Sequence, residues 1–265
     1  MSLLKPLLFK KDMLVPWGTL LFGLSCLIIT FPLLLDYNEM KTFFLPNLEQ
    51  FNIIEFIKYF ACQFGHGGRN LPSWFHLITN LVNLVIMGTI VERVIGTSRF
   101  IIMCFLSSFF VAIYALTIST VGFGSSGMLY SFWIFIAIIL YKEWKNDKRR
   151  ALKDPLFLFT AIMSIWAWTI TIILFIDPQA NDLFSFFGFT NTVHLIGTIT
   201  GVLCFLVWKE PFMFNLGLVQ NQKEAQLKHQ EEKHNLRVAT IVFFSLFLGF
   251  NVVLSCYALI NLFSI

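Results

Sequence analysis

Two residues far apart in this sequence have the side-chain types of a nucleophile and its general base. Ser126 lies in the run Gly124-Ser125-Ser126-Gly127, and His194 stands at the start of a later apolar segment. Glycines beside a serine let the backbone turn tightly and expose a hydroxyl and a nearby N–H, while an imidazole can accept the hydroxyl proton. The pair predicts acyl transfer by an activated serine. The alternatives are close-packing Gly and Ser residues and a capping or interhelical histidine.

Three further side chains have types that could assist such a pair. His76 and Asn80 are four residues apart and therefore share one helix face, from which they could donate hydrogen bonds to an oxyanion. The alternative is a polar pair that holds two helices together. Tyr130 lies one turn after Ser126 on the same face, where its ring could pack beneath His194 and orient it. In a chain with 17% aromatic residues it could equally be a packing residue.

Small residues follow the histidine at a spacing that brings helices close. Gly197 and Gly201 form a Gly-x-x-x-Gly face, on which a neighbouring helix can approach the backbone. This face offers a way to bring Ser126 near His194.

The elements that position these residues are predicted to be membrane-spanning helices. The chain has 265 residues, 57% hydrophobic and only 13% charged, whereas about a quarter of a soluble domain is charged. A helix crosses the hydrocarbon in about 20 apolar residues. Seven segments meet that description: 14–35, 74–91, 100–120, a noticeably short 126–141, 156–176, 192–208 and 238–263. Between the first two, apolar residues at helical spacing over 51–60 predict an interfacial helix.

The basic residues predict an orientation. With seven spans, sixteen Lys and Arg residues lie on the side of the N-terminus and three lie on the other side, at Lys41, Lys58 and Arg69. Cytoplasmic loops carry such an excess, so the N-terminus is expected to be cytoplasmic and the C-terminus external. The net charge of +4 comes from these loops and needs no nucleic-acid partner. Five scattered cysteines have no metal-ligand spacing, so neither a metal nor a cofactor is expected.

Taken together, the motifs resemble those of the rhomboid intramembrane proteases over residues 50–208. They occur in the family's order and on the expected helices: Trp74 to Asn80 for the second-helix His-x-x-x-Asn motif, Gly88 to Gly96 for the helix end that follows, Gly124 to Gly127 for Gly-x-Ser-Gly, and His194, Gly197 and Gly201 for the sixth-helix motif. The resemblance implies an all-α polytopic membrane protein, a six-helix bundle with an amphipathic loop after the first helix and a short fourth helix. A seventh C-terminal helix corresponds to the six-plus-one variant.

The resemblance also implies roles for the residues. Ser126 would be the nucleophile and His194 the base of a Ser-His dyad. His76 and Asn80 would stabilise the oxyanion, supported by the glycines of the serine motif, and Tyr130 would lie under the histidine ring. The spans contain no aspartate for a third triad member, which agrees with a dyad.

The sequence departs from the family pattern before the second helix. The family commonly has another histidine five residues before His76, where this chain has Leu71. His66 is the candidate counterpart, displaced by an insertion around Gly68 to Pro72. This departure concerns the shape of the outer loop.

The predicted organisation is a catalytic unit over 1–208, a cytoplasmic linker over 209–237 and a seventh span over 238–265. The expected activity is cleavage in or near transmembrane segments of membrane proteins, in a bacterial cytoplasmic membrane. One alternative is a catalytically silent rhomboid-like protein that binds or escorts membrane clients. A transporter or channel is the other, although such proteins usually show mid-membrane charges and inverted repeats, which are not evident in the sequence.

Overall fold

A computed structural model describes residues 3–9, 15–36, 43–47, 53–66, 73–117, 124–176 and 184–218 of the chain. These ranges form helices and contain no strand. The helices are α1 Leu4–Phe9, α2 Trp17–Leu35, α3 Ile53–Ala61 followed by a 3-10 turn Cys62–Phe64, α4 Ser73–Asn83, a π-helical turn Leu84–Gly88, α5 Thr89–Ile95, α6 Thr97–Thr117, α7 Ser126–Tyr130, α8 Trp133–Asn146, α9 Lys148–Ala151, α10 Pro155–Ile176 and α11 Phe184–Leu218.

Several of these helices are long and apolar enough to cross a membrane. In the described part of the chain five segments qualify, namely Trp17–Leu35, Trp74–Ile95, Thr97–Thr117, Ser126–Asn146 and Thr192–Gly217. The part of α10 from Pro155 to Thr169 is a shorter apolar segment. Six of the predicted spans therefore fall on helices, and the chain is an integral membrane protein with an all-α polytopic fold. The seventh predicted span, 238–263, lies outside the described residues.

The fourth predicted span differs in length from the expectation. It was predicted as a short segment over 126–141, whereas the apolar helical segment covers Ser126–Asn146. A turn at 131–132 separates α7 from α8, and the helix continues through Lys142 and Lys145 to Asn146. The lysines ended the apolar run in the sequence, but long basic side chains at a helix end do not end the helix itself.

The second span changes geometry along its length. It begins as α4, passes through the π-helical turn Leu84–Gly88 and ends as α5. Gly96 then adopts a φ of +88°, a left-handed conformation that glycine accepts readily, and α6 follows at once. His76 and Asn80 therefore lie near the start of this span, and Glu92 lies near its end.

The last described helix packs against the nucleophile segment through backbone. A Cβ atom placed on Gly197 would lie 1.8 Å from the carbonyl oxygen of Gly127, and one placed on Gly201 would lie 2.2 Å from that of Ser131. Only glycine permits so close an approach at these positions. The Gly-x-x-x-Gly face of α11 thus lies directly on residues 127–131.

Helix α11 continues past the predicted domain boundary at residue 208. Trp208 has non-helical dihedrals, φ −108° and ψ 18°, and marks a kink, and Pro211 lies in the next turn. The helix then runs to Leu218, with Phe212 and Leu216 buried. The remainder of the predicted linker lies outside the described residues.

Polar side chains connect helix ends at one end of the bundle, where the second span finishes. The Glu92 carboxyl accepts hydrogen bonds from the N–H groups of Gly18 and Thr19 at the start of α2, at 2.8 and 2.7 Å. The hydroxyls of Thr19 and Thr97 also donate to it, each at 2.8 Å. The first four N–H groups of a helix lack partners within the helix, so Glu92 caps α2.

Candidate active site

The nucleophile candidate lies at the first residue of a short helix. Ser126 begins α7, and Gly124, two residues before it, has a φ of +133°. A Cβ atom on Gly124 would lie 2.8 Å from Cε1 of His76. Both the left-handed backbone and the adjacent imidazole therefore require glycine at position 124. The turn brings His76 of the second span beside the serine motif.

The serine and histidine of the predicted dyad are in hydrogen-bonding contact. The Oγ atom of Ser126 lies 3.0 Å from Nε2 of His194, although the two residues are far apart in the chain. Both side chains are half-buried. When the serine hydroxyl donates to Nε2, that nitrogen is in position to accept the proton. The Gly197 and Gly201 contacts of α11 bring the two elements to this distance.

An aromatic ring covers one face of the histidine. The rings of Tyr130 and His194 are stacked, with centroids 3.9 Å apart and planes 5° from parallel. The Tyr130 hydroxyl donates to the carbonyl oxygen of Ala167 on α10, at 3.0 Å, and Trp168 contacts the tyrosine ring edge-on at 5.9 Å. Tyr130 is thus held from a third helix, and its position restricts the orientation of the imidazole.

Asn80 bonds to a histidine in the loop before the second span. Its Nδ2 atom lies 2.9 Å from Nε2 of His66, and the Oγ atom of Ser125 lies 3.4 Å from the same nitrogen. The other ring nitrogen, Nδ1, lies 3.0 Å from the carbonyl oxygen of Phe64 and 3.2 Å from the Thr30 hydroxyl. His66 therefore connects the first span, the loop, the second span and the serine turn.

The partners of His66 define its protonation. A carbonyl oxygen only accepts hydrogen bonds, so Nδ1 carries the proton and donates to Phe64, which leaves Nε2 as an acceptor. His66 is fully buried and lies outside the spans. Burial, together with the nearby His76, lowers its pKa from 6.5 to about 3. The ring is neutral at physiological pH.

His76 and Asn80 lie on the same face of α4 but have different neighbours. His76 contacts Gly124 and meets the His66 ring edge-on, with centroids 5.0 Å apart, whereas Asn80 bonds to His66. All the predicted site residues are thus gathered around the serine turn. Among the described residues, no three His, Cys, Asp or Glu side chains are grouped as metal ligands.

Sequence reasoning missed two members of this cluster. Thr30 gave no signal because a threonine in an apolar helix usually bonds to its own backbone. Ser125 occupies the variable position of Gly-x-Ser-Gly, and that position predicts no contact of its own. The sequence singled out His66, but only as a displaced counterpart of a family histidine. The predicted insertion at 68–72 lies outside the described residues.

Comparison with known proteins identifies the family. The Rhomboid domain matches residues 54–210, which is more than half of the chain and includes Ser126, His194 and the other predicted site residues. Neither a curated protein nor a solved structure matches the chain. The helical fold agrees with the domain match. This integral membrane protein therefore belongs to the rhomboid family.

Proposed function

We propose that this protein is an intramembrane serine endopeptidase that cleaves peptide bonds in or near transmembrane segments of other membrane proteins. The observation that carries the proposal is the 3.0 Å contact between Ser126 Oγ and His194 Nε2 beneath the ring of Tyr130. A merely structural serine at a helix start needs no imidazole partner. A rhomboid-like protein that only binds clients has no use for this pair.

The reaction begins with attack of Ser126 Oγ on a peptide carbonyl, while His194 takes the hydroxyl proton at Nε2. His194 then gives that proton to the leaving amine, and an acyl-enzyme forms on the serine. In the second half His194 activates water, which hydrolyses the ester and releases the serine. Tyr130 keeps the imidazole in one orientation through both halves.

The negative charge on the carbonyl oxygen needs hydrogen-bond donors nearby. Candidates are the N–H groups of the turn from Gly124 to Gly127, the His76 ring, which contacts Gly124, and the Asn80 amide, which bonds to the same His66 nitrogen as Ser125. Such donors are worth roughly 10²- to 10³-fold each in kcat. The substrate helix must unwind before its carbonyl group can reach these donors, because a helix in lipid satisfies its own backbone hydrogen bonds. Substrates with helix-breaking or small residues at the cut are therefore expected.

The proposal includes an orientation. With the N-terminus in the cytoplasm, the start of the second span and the serine turn lie toward the external side, and substrates are cut near that end of their span. A bacterial cytoplasmic membrane is the expected location.

The test is cleavage of a transmembrane reporter by the protein in proteoliposomes. Ser126→Ala and His194→Ala are each expected to lower kcat by at least about 10³-fold, since they remove the nucleophile or the base. Ser131→Ala is the matched control, because Ser131 is a buried serine of the same segment whose hydroxyl bonds only within the turn, to the carbonyl of Met128.

The competing function predicts a different pattern. If the wild type cuts none of a varied set of reporters but binds them, the protein escorts membrane clients and the protease proposal is wrong. Equal cleavage by the wild type and Ser126→Ala would also exclude the dyad. Thermal unfolding of each variant establishes that lost cleavage is not lost folding.

A further inference from the structure

A second serine–histidine contact lies immediately beside the first. Ser125 and Ser126 are adjacent, and each has a histidine partner, His66 for Ser125 and His194 for Ser126. The two contacts differ in burial and geometry. Ser125 is buried, and its contact is long at 3.4 Å, whereas Ser126 is half-buried and its contact is 3.0 Å.

The bonding of His66 argues against a second nucleophilic pair. Its Nε2 atom is already bonded to the amide of Asn80 at 2.9 Å, the shorter of its two contacts. Its Nδ1 proton is donated to Phe64 O, so the ring is fixed as one neutral tautomer. A ring held from both nitrogens orients its partners and does not exchange protons with them.

The orientation of Asn80 follows from this tautomer. An asparagine side chain has an oxygen that accepts hydrogen bonds and an NH₂ group that donates them. The hydrogen-bond partners decide which of the two ends of the amide faces which neighbour. Because Nε2 of His66 can only accept, the NH₂ group must face it. The NH₂ group has a second N–H bond, and its direction is fixed once the first one faces His66. The direction of this second N–H therefore depends on His66 as well as on the α4 backbone.

We propose that His66 is a positioning residue for the reaction, which orients the Asn80 amide and holds the Ser125–Ser126 turn against the first span. This inference rests on the proposed protease function and deepens it. His66 connects the helix that bears Thr30, the helix that bears Asn80 and the turn that bears the nucleophile. The placement of the oxyanion donors relative to Ser126 depends on this junction.

The experiment is a double-mutant cycle on kcat and KM with a transmembrane reporter. His66→Phe keeps a ring but removes both nitrogens, and we expect kcat to fall about ten- to hundredfold, as for a misplaced catalytic group, with KM changed by less than about twofold. Asn80→Ala removes the oriented group. If His66 acts through Asn80, the double variant loses clearly less activity than the two single losses combined, and any loss beyond that of Asn80→Ala measures the support that His66 gives to the serine turn.

Conservative variants separate positioning from general support. His66→Gln places an amide oxygen near the Nε2 position and keeps an acceptor for Asn80, so it is expected to recover part of the kcat lost in His66→Phe. Ser125→Ala removes the long contact to His66 together with the hydrogen bond between Ser125 and Cys26 of the first span, and should lower kcat by about two- to threefold. Ser126 remains essential in every background, whereas a second nucleophile at Ser125 would leave residual cleavage in Ser126→Ala and overturn the proposal.

The control is Gln63→Met in the same segment. Gln63 is buried and donates to the carbonyl oxygens of Tyr59 and Ser108, so it secures the loop without touching the site. It should lower the melting temperature and leave kcat near that of the wild type. Equal kcat losses in Gln63→Met and His66→Phe would show that the loop needs only general stability, and the inference would be wrong.

The outcomes also distinguish this inference from the proposed function. An active wild type with additive losses in His66→Phe and Asn80→Ala overturns the positioning role alone. A wild type that cleaves no reporter overturns both. The same cycle measured on melting temperature needs no cleavage, and additivity there would contradict the His66–Asn80 contact itself.

Discussion

The two ends of the bundle use polar side chains in different ways. Around Ser126, side chains bond to side chains: serine to histidine, and asparagine to histidine. At the opposite end they bond mainly to backbone groups at helix ends, although Glu92 also accepts from the Thr19 and Thr97 hydroxyls. Glu143 accepts from the N–H groups of Leu3 and Leu4, and the Arg93 guanidinium donates to the carbonyl oxygen of Leu7 at 2.6 Å.

The difference separates architecture from chemistry. A backbone group at a helix end needs a partner whatever the function of the protein, and a side chain that supplies it is satisfied and fixed. A buried side chain bonded to another side chain solves no such problem and carries a desolvation cost. The opposite end therefore anchors the helices, and the site end uses that rigidity to hold reactive groups at fixed distances.

Removing the Glu92 carboxyl is expected to have the largest effect on stability. In Glu92→Ala, the N–H groups of Gly18 and Thr19 and two threonine hydroxyls lose their acceptor in a site that is 1% exposed. The cost is roughly 3 to 5 kcal/mol of unfolding free energy. Reversible unfolding in detergent measures it, and activity per folded molecule should be preserved.

Glu143→Ala is the matched comparison for this prediction. Glu143 is also buried, but it accepts from two N–H groups at the start of the short helix α1, and losing them frays only that helix. We expect a loss of about 1 kcal/mol. If Glu92→Ala costs no more than Glu143→Ala, the view that Glu92 anchors the bundle is wrong.

Acid should destabilise the protein through His66. Its pKa is about 3 in the folded protein and 6.5 when exposed, so below pH 6.5 the unfolded chain binds a proton that the folded chain does not. The stability from this group is present above pH 6.5 and is lost as pH falls toward 3. At pH 5 the loss is about 2 kcal/mol, from 1.36 kcal/mol per pKa unit.

The measurement is the unfolding free energy of the wild type and His66→Phe between pH 7.5 and 5. Both proteins share every other titrating group, so the difference between their pH profiles isolates His66. The variant should lose less stability on acidification. Parallel profiles would show that His66 is protonated equally in both states, which contradicts its burial and the Asn80 NH₂ group that faces Nε2, the nitrogen that would take the proton.

The sequence predicted contacts within one helix and missed most contacts between segments. The four-residue spacings of His76 and Asn80, of Ser126 and Tyr130, and of the two glycines of α11 each predict a shared face because helical periodicity alone determines it. The dyad required two separate helices, and the sequence paired them by residue type and by the family resemblance, not by any spacing between them. Apolar runs, even where they fall on helices, do not place one helix against another.

The missed contacts have a common physical reason. His66 bonds to side chains 14, 36 and 59 residues away, and Glu92 accepts from the N–H of Gly18, 74 residues earlier. No periodicity relates such positions. Glu92 stands in the sequence at the end of an apolar run, and His66 stands between two glycines. Their partners depend on helix packing, which a pattern along one chain segment does not encode.

Tyr130 offers the smallest and most selective test of the difference between the two ends, because it uses both kinds of contact. Its hydroxyl bonds to backbone, at Ala167 O, while its ring stacks on a reactive side chain, His194. Tyr130→Phe removes the hydroxyl bond to Ala167 and should lower the free energy of unfolding by about 1 kcal/mol, while kcat stays within about twofold of the wild-type value. Tyr130→Leu also removes the ring that stacks on His194, and kcat should fall about tenfold, which is 1.36 kcal/mol of activation free energy.

The pH dependence of kcat in the Tyr130 variants shows which contact orients the base. If stacking holds His194, Tyr130→Leu lowers the plateau of the kcat profile and Tyr130→Phe leaves it in place. A larger loss in Tyr130→Phe would mean that the hydroxyl bond to α10 positions the ring, and the stacked face would then be a consequence of packing. In that case a hydrogen bond to a backbone carbonyl would position the catalytic base. The contrast between backbone contacts that anchor helices and side-chain contacts that serve the chemistry would then not hold at Tyr130.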